Sequence, residues 1–113
     1  YKELSELAET GLVKLPEIPV SNSNNHHVFH LIFKDNATRE KARNFLDYNG
    51  ISAVIHYMPL HSSPYGRKLG YKPEDCPVSE EMAGRLLRLP MHMFLTEEDI
   101  LLTCKMVRRA LGR

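Results

Sequence analysis

The chain has 113 residues, enough for one domain with its own core, and its 42% hydrophobic and 26% charged residues are typical of a globular protein. Its formal net charge of +1 excludes the strong positive field by which proteins attract nucleic acid or an anionic membrane. No apolar run approaches the ~20 residues of a membrane span, no signal-peptide pattern opens the chain, and two distant cysteines form no disulfide framework, so a cytoplasmic location is expected.

The first third of the chain predicts a short helix followed by a strand. Leu4, Leu7 and Ala8 recur with helical spacing, and Gly11 suits the position after a helix end. Residues 26–33 then alternate between two faces of a strand. The face with His27, Phe29, Leu31 and Phe33 predicts core. The other face still includes Val28 and Ile32, so we expect another element to cover part of it.

A second helix and a second strand are predicted next. The helix has an apolar stripe of Ala42, Phe45 and Leu46 and ends at Gly50. Its candidate N-caps are Asp35, Asn36 and Thr38. Residues 51–57 read as a strand in which Ile51, Ala53, Ile55 and Tyr57 share one face and Ser52, Val54 and His56 share the other. His56 and Tyr57 are therefore expected to point to opposite sides of the sheet, with Tyr57 on the core side and His56 on the open side.

The second half of the chain predicts a loop, a short helix, a strand and a terminal helix. Residues 62–77 have no clear periodicity, Ser79 can cap a short helix, and residues 88–91 form a short strand. Thr96 is a good N-cap for a final helix with an apolar stripe of Ile100, Cys104, Val107 and Leu111. The whole pattern predicts an α/β (α+β) fold with a small three-stranded sheet and helices packed on one face, as a single domain of residues 1–113.

The stretch from His56 to His61, with the sequence HYMPLH, is the candidate functional segment. It places two imidazoles and a phenol at the end of a predicted strand, where binding residues are often found. Pro59 restricts the backbone there and offers no N–H group to a sheet. The alternative interpretation is that Tyr57 and one histidine only close a small core.

Other groups of residues in the sequence do not form a complete metal, phosphate-binding or catalytic site. The six histidines lack the partners and spacing of a known metal site. Gly66 to Gly70 lacks the spacing of a phosphate-binding loop, and Cys76 has no nearby base that would make it a nucleophile. The residues alone therefore predict a binding surface with no catalytic, cofactor-binding or metal residue.

The order of motifs resembles the C-terminal small domain of the DegT/DnrJ/StrS sugar-nucleotide aminotransferases, most nearly their dTDP-4-amino-4,6-dideoxygalactose transaminase type. The motifs are HHVFH from His26, Arg39, GISAV from Gly50, HYMPLH from His56, Glu80, RLPMH from Arg88 and LTEEDI from Leu95. The similarity runs from about Leu15 to the end, and residues 1–11 fit the end of the helix that precedes that domain.

This resemblance implies the C-terminal domain of a fold-type-I aminotransferase. Its large N-terminal domain would hold pyridoxal phosphate, a Schiff-base lysine and an aspartate, none of which this chain would supply. The full enzyme would be a homodimer that aminates a nucleotide-linked keto-deoxysugar, with glutamate as the expected amino-acid donor. His56, Tyr57 and His61 would bind substrate, and we expect His56 and His61 to be exposed in this chain. The chain alone would be inactive and without bound cofactor.

Two alternatives remain open at this point. The chain can be a free-standing ligand-binding or regulatory module with the same fold and no catalysis. It can also be an interaction domain whose uncovered strand face binds a partner.

Overall fold

The computed structural model describes residues 1–113 and shows a three-stranded antiparallel sheet with five α-helices. The strands are β1 (Val13–Lys14), β2 (Phe29–Phe33) and β3 (Leu86–Leu89), in the order β1-β2-β3. The helices are α1 (Ser5–Glu9), α2 (Asn36–Tyr48), α3 (Pro64–Lys68), α4 (Pro77–Arg85) and α5 (Glu97–Ala110). Short 3-10 helices occupy Lys2–Leu4 and Pro73–Asp75.

The predicted fold class is confirmed, but the membership of the sheet differs from the prediction. Residues 51–57 do not form a strand: they contribute one isolated bridge, in which Val54 and Arg88 exchange two backbone hydrogen bonds of 3.1 and 2.8 Å. The third strand is instead β1, where Val13 lies opposite Phe33. A strand of two residues is too short to be recognised by alternation, which explains why the sequence did not predict it.

Strand β2 also begins later than predicted. The side chains of Asn24 and Asn25 accept hydrogen bonds from the backbone N–H groups of His26 and His27, at 2.9 and 3.2 Å. These turns occupy donors that a strand would need, and His26 adopts a positive φ of 52°. The ladder with β3 therefore starts only at Phe29, which lies opposite Leu89.

The core lies between one face of the sheet and the helices, as predicted. Leu31 and Phe33 of β2 are fully buried, and Leu87 lies opposite Leu31 on β3. The helices contribute the other buried apolar side chains, among them Leu4, Leu7, Ala42, Leu46, Cys104, Val107 and Ala110. Of the stripe predicted for α5, Cys104 and Val107 are buried, whereas Ile100 is nearly half exposed.

Three helix starts can be compared with the sequence. Asp35 caps α2 by accepting from Thr38 N at 2.7 Å, and Thr96 caps α5 in a reciprocal capping box with Asp99. The prediction for α4 was wrong: the helix begins at Pro77 rather than after Ser79. Proline at the first helical position has the required φ and lacks only an N–H group that would be unpaired there.

Candidate functional site

The candidate segment from His56 to His61 leaves the sheet after Val54 and ends in a tight turn before α3. The turn is held by Ser62 Oγ, which donates to Pro59 O at 3.2 Å, and by Ser63 Oγ, which donates to Leu60 O at 2.6 Å. Ser63 also caps α3 by accepting from Gly66 N at 3.0 Å. The segment is therefore fixed at its C-terminal end by side-chain hydrogen bonds rather than by a β-ladder.

Helix α3 approaches the segment through Gly66. A Cβ atom built at Gly66 would overlap the carbonyl oxygens of Leu60 and His61 and would lie 2.8 Å from the His61 carbonyl carbon. All three are backbone atoms, which cannot rotate away as a flexible side chain would. Glycine at position 66 is thus a condition for the observed path of residues 60–61.

His56 and Tyr57 are both exposed, and their rings contact each other edge-on with centroids 4.5 Å apart. The prediction that alternation sends them to opposite sides, with Tyr57 on the core side, was wrong. Ile51 and Ala53 are buried as predicted, but Ile55 is already 46% exposed and Tyr57 is 71% exposed. Alternation fails because no ladder extends past Val54 to hold the pleat.

His61 lies in a different environment from the exposed position that we expected for it. Its side chain is only 11% exposed, and its Nε2 atom lies 3.0 Å from Oε1 of Glu80 on α4. Neither atom makes a well-aligned hydrogen bond with the other or with any other group. The pair joins the candidate segment to α4 at ion-pair distance, without the alignment of a strong hydrogen bond.

The three predicted site residues line one hollow. His56, Tyr57 and His61 form one side of a depression of about 460 Å³, and α4 and β3 form the other through Ser79, Met82, Ala83 and Leu86. The sequence analysis missed the contributions of α4 and β3 to this hollow. Met82, Ala83 and Leu86 have the helical spacing of core residues, so nothing in the sequence distinguishes them as lining a surface depression.

His30 also lies near the site, although the sequence did not predict it there. Burial, and to a smaller extent the nearby charge of His56, lower the pKa of His30 below its ordinary value. The strand register places the two histidines in the same region, because His30 lies opposite Arg88 and Val54, two residues before His56, bridges Arg88 on its other side. His30 and His56 are 26 residues apart in sequence, so no local pattern indicated this arrangement.

Neither a metal centre nor a reactive thiol is assembled. No group of three or more histidine, cysteine, aspartate and glutamate side chains is positioned to hold a metal ion. Cys76 is exposed and Cys104 is buried, and burial raises the pKa of the Cys104 thiol, which disfavours the reactive thiolate. No helix is both long and apolar enough to span a membrane.

The lysines do not fit a covalent site for an aldehyde cofactor such as pyridoxal phosphate. Every lysine of the chain is exposed, whereas a Schiff-base lysine is activated by removal from solvent or by a neighbouring cation in a pocket. None lines the hollow beside the candidate segment. The arrangement in this chain can bind and orient a ligand through imidazole, phenol and carboxylate groups.

With this geometry in place, comparison with known proteins identifies the family. The model of the DegT/DnrJ/EryC1/StrS aminotransferase family matches residues 1–108. The chain therefore belongs to this family, and the resemblance stated from its motifs is confirmed.

Two curated relatives illustrate the similarity. A UDP-N-acetyl-3-dehydro-alpha-D-glucosamine 3-aminotransferase of Acidithiobacillus ferrooxidans is 34% identical over 101 residues, covering 88% of this chain and 26% of the relative. A dTDP-3-amino-3,4,6-trideoxy-alpha-D-glucose transaminase of Streptomyces venezuelae is 31% identical over 102 residues, covering 88% of this chain and 27% of the relative. The chain thus spans about a quarter of the length of these relatives.

A solved structure supports the same fold. The crystal structure of S. venezuelae DesV matches 99% of this chain with a TM-score of 0.85 and 27% identity, over 30% of the DesV chain. The small antiparallel sheet with helices on one face is thus also the fold of 30% of the DesV chain.

Proposed function

We propose that residues 1–113 form the C-terminal domain of a pyridoxal-phosphate-dependent aminotransferase, with residues 1–11 as the end of a linking helix. The full enzyme would transfer an amino group from an amino acid, with glutamate as the expected donor, to a keto group of a nucleotide-linked deoxysugar. The match of the family model to residues 1–108 is the observation that supports this function most strongly. The two relatives described above act, by their names, on nucleotide-linked sugars.

In this proposal the domain forms one wall of the substrate cleft. His56 and Tyr57 are exposed and adjacent, so they can reach a ligand that is held by another part of the protein. His61 faces the same hollow from below the surface and is held near Glu80. Imidazole and phenol groups can donate hydrogen bonds to phosphate or sugar oxygens, and closure of this wall would exclude water from the reaction.

Pyridoxal phosphate would be held outside these residues, because no lysine of this chain lies in a suitable pocket. When bound, this cofactor supplies the electron sink needed to move an amino group. We further propose that the full enzyme is a cytoplasmic homodimer, as expected from the resemblance. The contribution of this chain is to bind, to orient and to exclude water.

The test is an assay of the product of the complete gene in which this sequence lies. The purified protein is incubated with glutamate and a panel of nucleotide-linked keto-deoxysugars, and amino-sugar products are detected by mass spectrometry. We expect one or more substrates to be aminated, with formation of 2-oxoglutarate in equal amount. Binding of a small ligand without amination, by a gene product that begins close to Tyr1, would instead support a free-standing binding module.

A further inference from the structure

The face of the sheet that is turned away from the helices has only basic charges. In β2 and β3 the side chains that alternate with the core residues are His30, Ile32, Leu86 and Arg88, all of them half-buried. Lys14 of β1 lies opposite Ile32 and therefore shares this face. No aspartate or glutamate belongs to any of the three strands.

Arg88 at the centre of this face has no acceptor for its guanidinium group. The other half-buried or buried arginines all have one: Arg39 and Arg43 contact Glu40, Arg85 contacts Glu81, and Arg108 contacts Glu3. Arg88 makes no ion pair and no side-chain hydrogen bond, although it is half-buried. Its guanidinium nitrogens are not fully buried, so an oxyanion from solvent can reach them and pair with both at once.

The neighbours of Arg88 are arranged around it by the sheet. His30 lies directly opposite Arg88 on β2, and Val54 bridges it on the other side. His56 follows Val54 by two residues, and its charge adds to the effect of burial in lowering the pKa of His30. Asp99 lines a hollow shared with Arg88, but its carboxylate accepts from the backbone N–H and hydroxyl of Thr96 at 3.0 and 2.8 Å. The capping box thus engages Oδ2 of Asp99, and no ion pair joins this carboxylate to Arg88.

We propose that Arg88 and His30 form a binding site for an oxyanion on the open face of the sheet, next to His56. The planar fork of arginine matches the two oxygens of a carboxylate or phosphate, and His30 can donate one further hydrogen bond. The source of the oxyanion rests on the proposed function: it is either the carboxylate of the amino donor or the diphosphate of the nucleotide-linked sugar. The apolar residues Val54 and Ile32 lie beside Arg88 and His30 on this face.

The experiment measures binding by this chain alone, so it does not depend on aminotransferase activity. Isotope-labelled chain is titrated with inorganic pyrophosphate in one arm and with L-glutamate in the other, while NMR signals of the Arg88 side chain and the His30 ring are followed. We expect one probe to bind and to raise the pKa of His30, because a nearby negative charge favours the imidazolium form.

Variants distinguish a built site from general attraction to positive charge. Arg88→Ala is expected to weaken binding by about tenfold or more, and Arg88→Lys to restore only part of it because the bidentate fork is lost. Arg109→Ala is the matched control, since Arg109 is exposed on α5 without an acid partner and its loss removes the same charge. Unchanged NMR spectra away from β3 verify that the Arg88 variants remain folded.

Each outcome decides the proposal. Binding of pyrophosphate that depends on Arg88 assigns the site to the diphosphate, and Arg88-dependent binding of glutamate assigns it to the donor carboxylate. Equal loss in Arg88→Ala and Arg109→Ala, or no binding of either probe at millimolar concentration, would overturn the site. Because no turnover is measured, such a failure is distinct from failure of the proposed aminotransferase function.

Discussion

The Nε2 atom of His61 lies 3.0 Å from Oε1 of Glu80, so one side-chain pair joins the HYMPLH segment to helix α4. Both side chains are partly shielded from solvent, and neither atom has another partner. Glu80→Ala should therefore destabilise the fold by about 1 kcal/mol. This is at the low end of the cost of removing the partner of a buried polar group, because the Glu80 side chain is one-third exposed. Chemical denaturation measures this change.

Glu81→Ala is the matched control for the effect of Glu80. Glu81 pairs with Arg85 one helical turn away on the same helix, and its side chain is 57% exposed. An exposed pair of this kind contributes about 0.3–0.5 kcal/mol. If the two variants lose the same stability, the His61–Glu80 pair does not fix the segment.

Replacing His56 and His61 by alanine should separate binding from stability. In the full enzyme His56→Ala should lower kcat/KM by about tenfold or more, which is the effect of losing one well-placed hydrogen bond. The free energy of unfolding should change by less than about 0.5 kcal/mol, because the side chain of His56 is exposed. His61→Ala should lower kcat/KM similarly and also destabilise the fold by about 1–3 kcal/mol, since the buried Oε1 atom of Glu80 loses the imidazole that lies 3.0 Å from it. Full activity in both variants would remove these histidines from the site.

Gly66→Ala tests whether the close approach of α3 fixes the candidate segment. The new methyl group would overlap backbone atoms of Leu60 and His61, so the segment must shift, at about 1–3 kcal/mol for overpacking. Amide chemical shifts of residues 56–61 should change with it. Gly84→Ala is the control, because a Cβ there meets only the Asn36 side chain, at 3.5 Å. Equal tolerance of both substitutions would show that α3 does not constrain the segment.

The pH dependence of stability should reveal His30. Burial and the charge of His56 lower the pKa of His30 in the folded state below the ordinary value of 6.5. At a pH between the folded and the unfolded pKa, the unfolded chain therefore binds more protons than the folded one. Stability is then fully present above about pH 6.5 and decreases as the pH falls toward the lower pKa of the folded state. Denaturation at several pH values should show a smaller decrease for His30→Gln. An identical pH profile for both proteins would exclude this role.

The sequence predicted the parts of the fold that have strong local signals. The capping pattern around Thr96 and the apolar stripe at Cys104 and Val107 located α5, because helical spacing and N-caps are short-range features. The alternation of Leu31 and Phe33 located β2 in the same way. Both elements could therefore be predicted without knowing which other elements they pack against.

The incorrect predictions concern features that depend on distant residues. Residues 51–57 have the composition of a strand, but they pair with the sheet only at Val54, and so the directions of His56 and Tyr57 could not follow from alternation. His61 lies against Glu80, which is on a helix 19 residues further along the chain. The motif singled out three residues that line one hollow, and their role in binding stays a prediction, whereas the orientation of the segment required the tertiary structure.

The most direct test of the central claim locates the lysine that binds pyridoxal phosphate. The product of the complete gene and the isolated 113-residue chain are each incubated with pyridoxal phosphate, reduced with borohydride, digested and analysed by mass spectrometry. We predict one stoichiometric phosphopyridoxyl-lysine in the gene product, at a position outside residues 1–113, and no stoichiometric adduct in the isolated chain. A stoichiometric adduct within residues 1–113, or a complete gene product that retains no pyridoxal phosphate, would contradict the account.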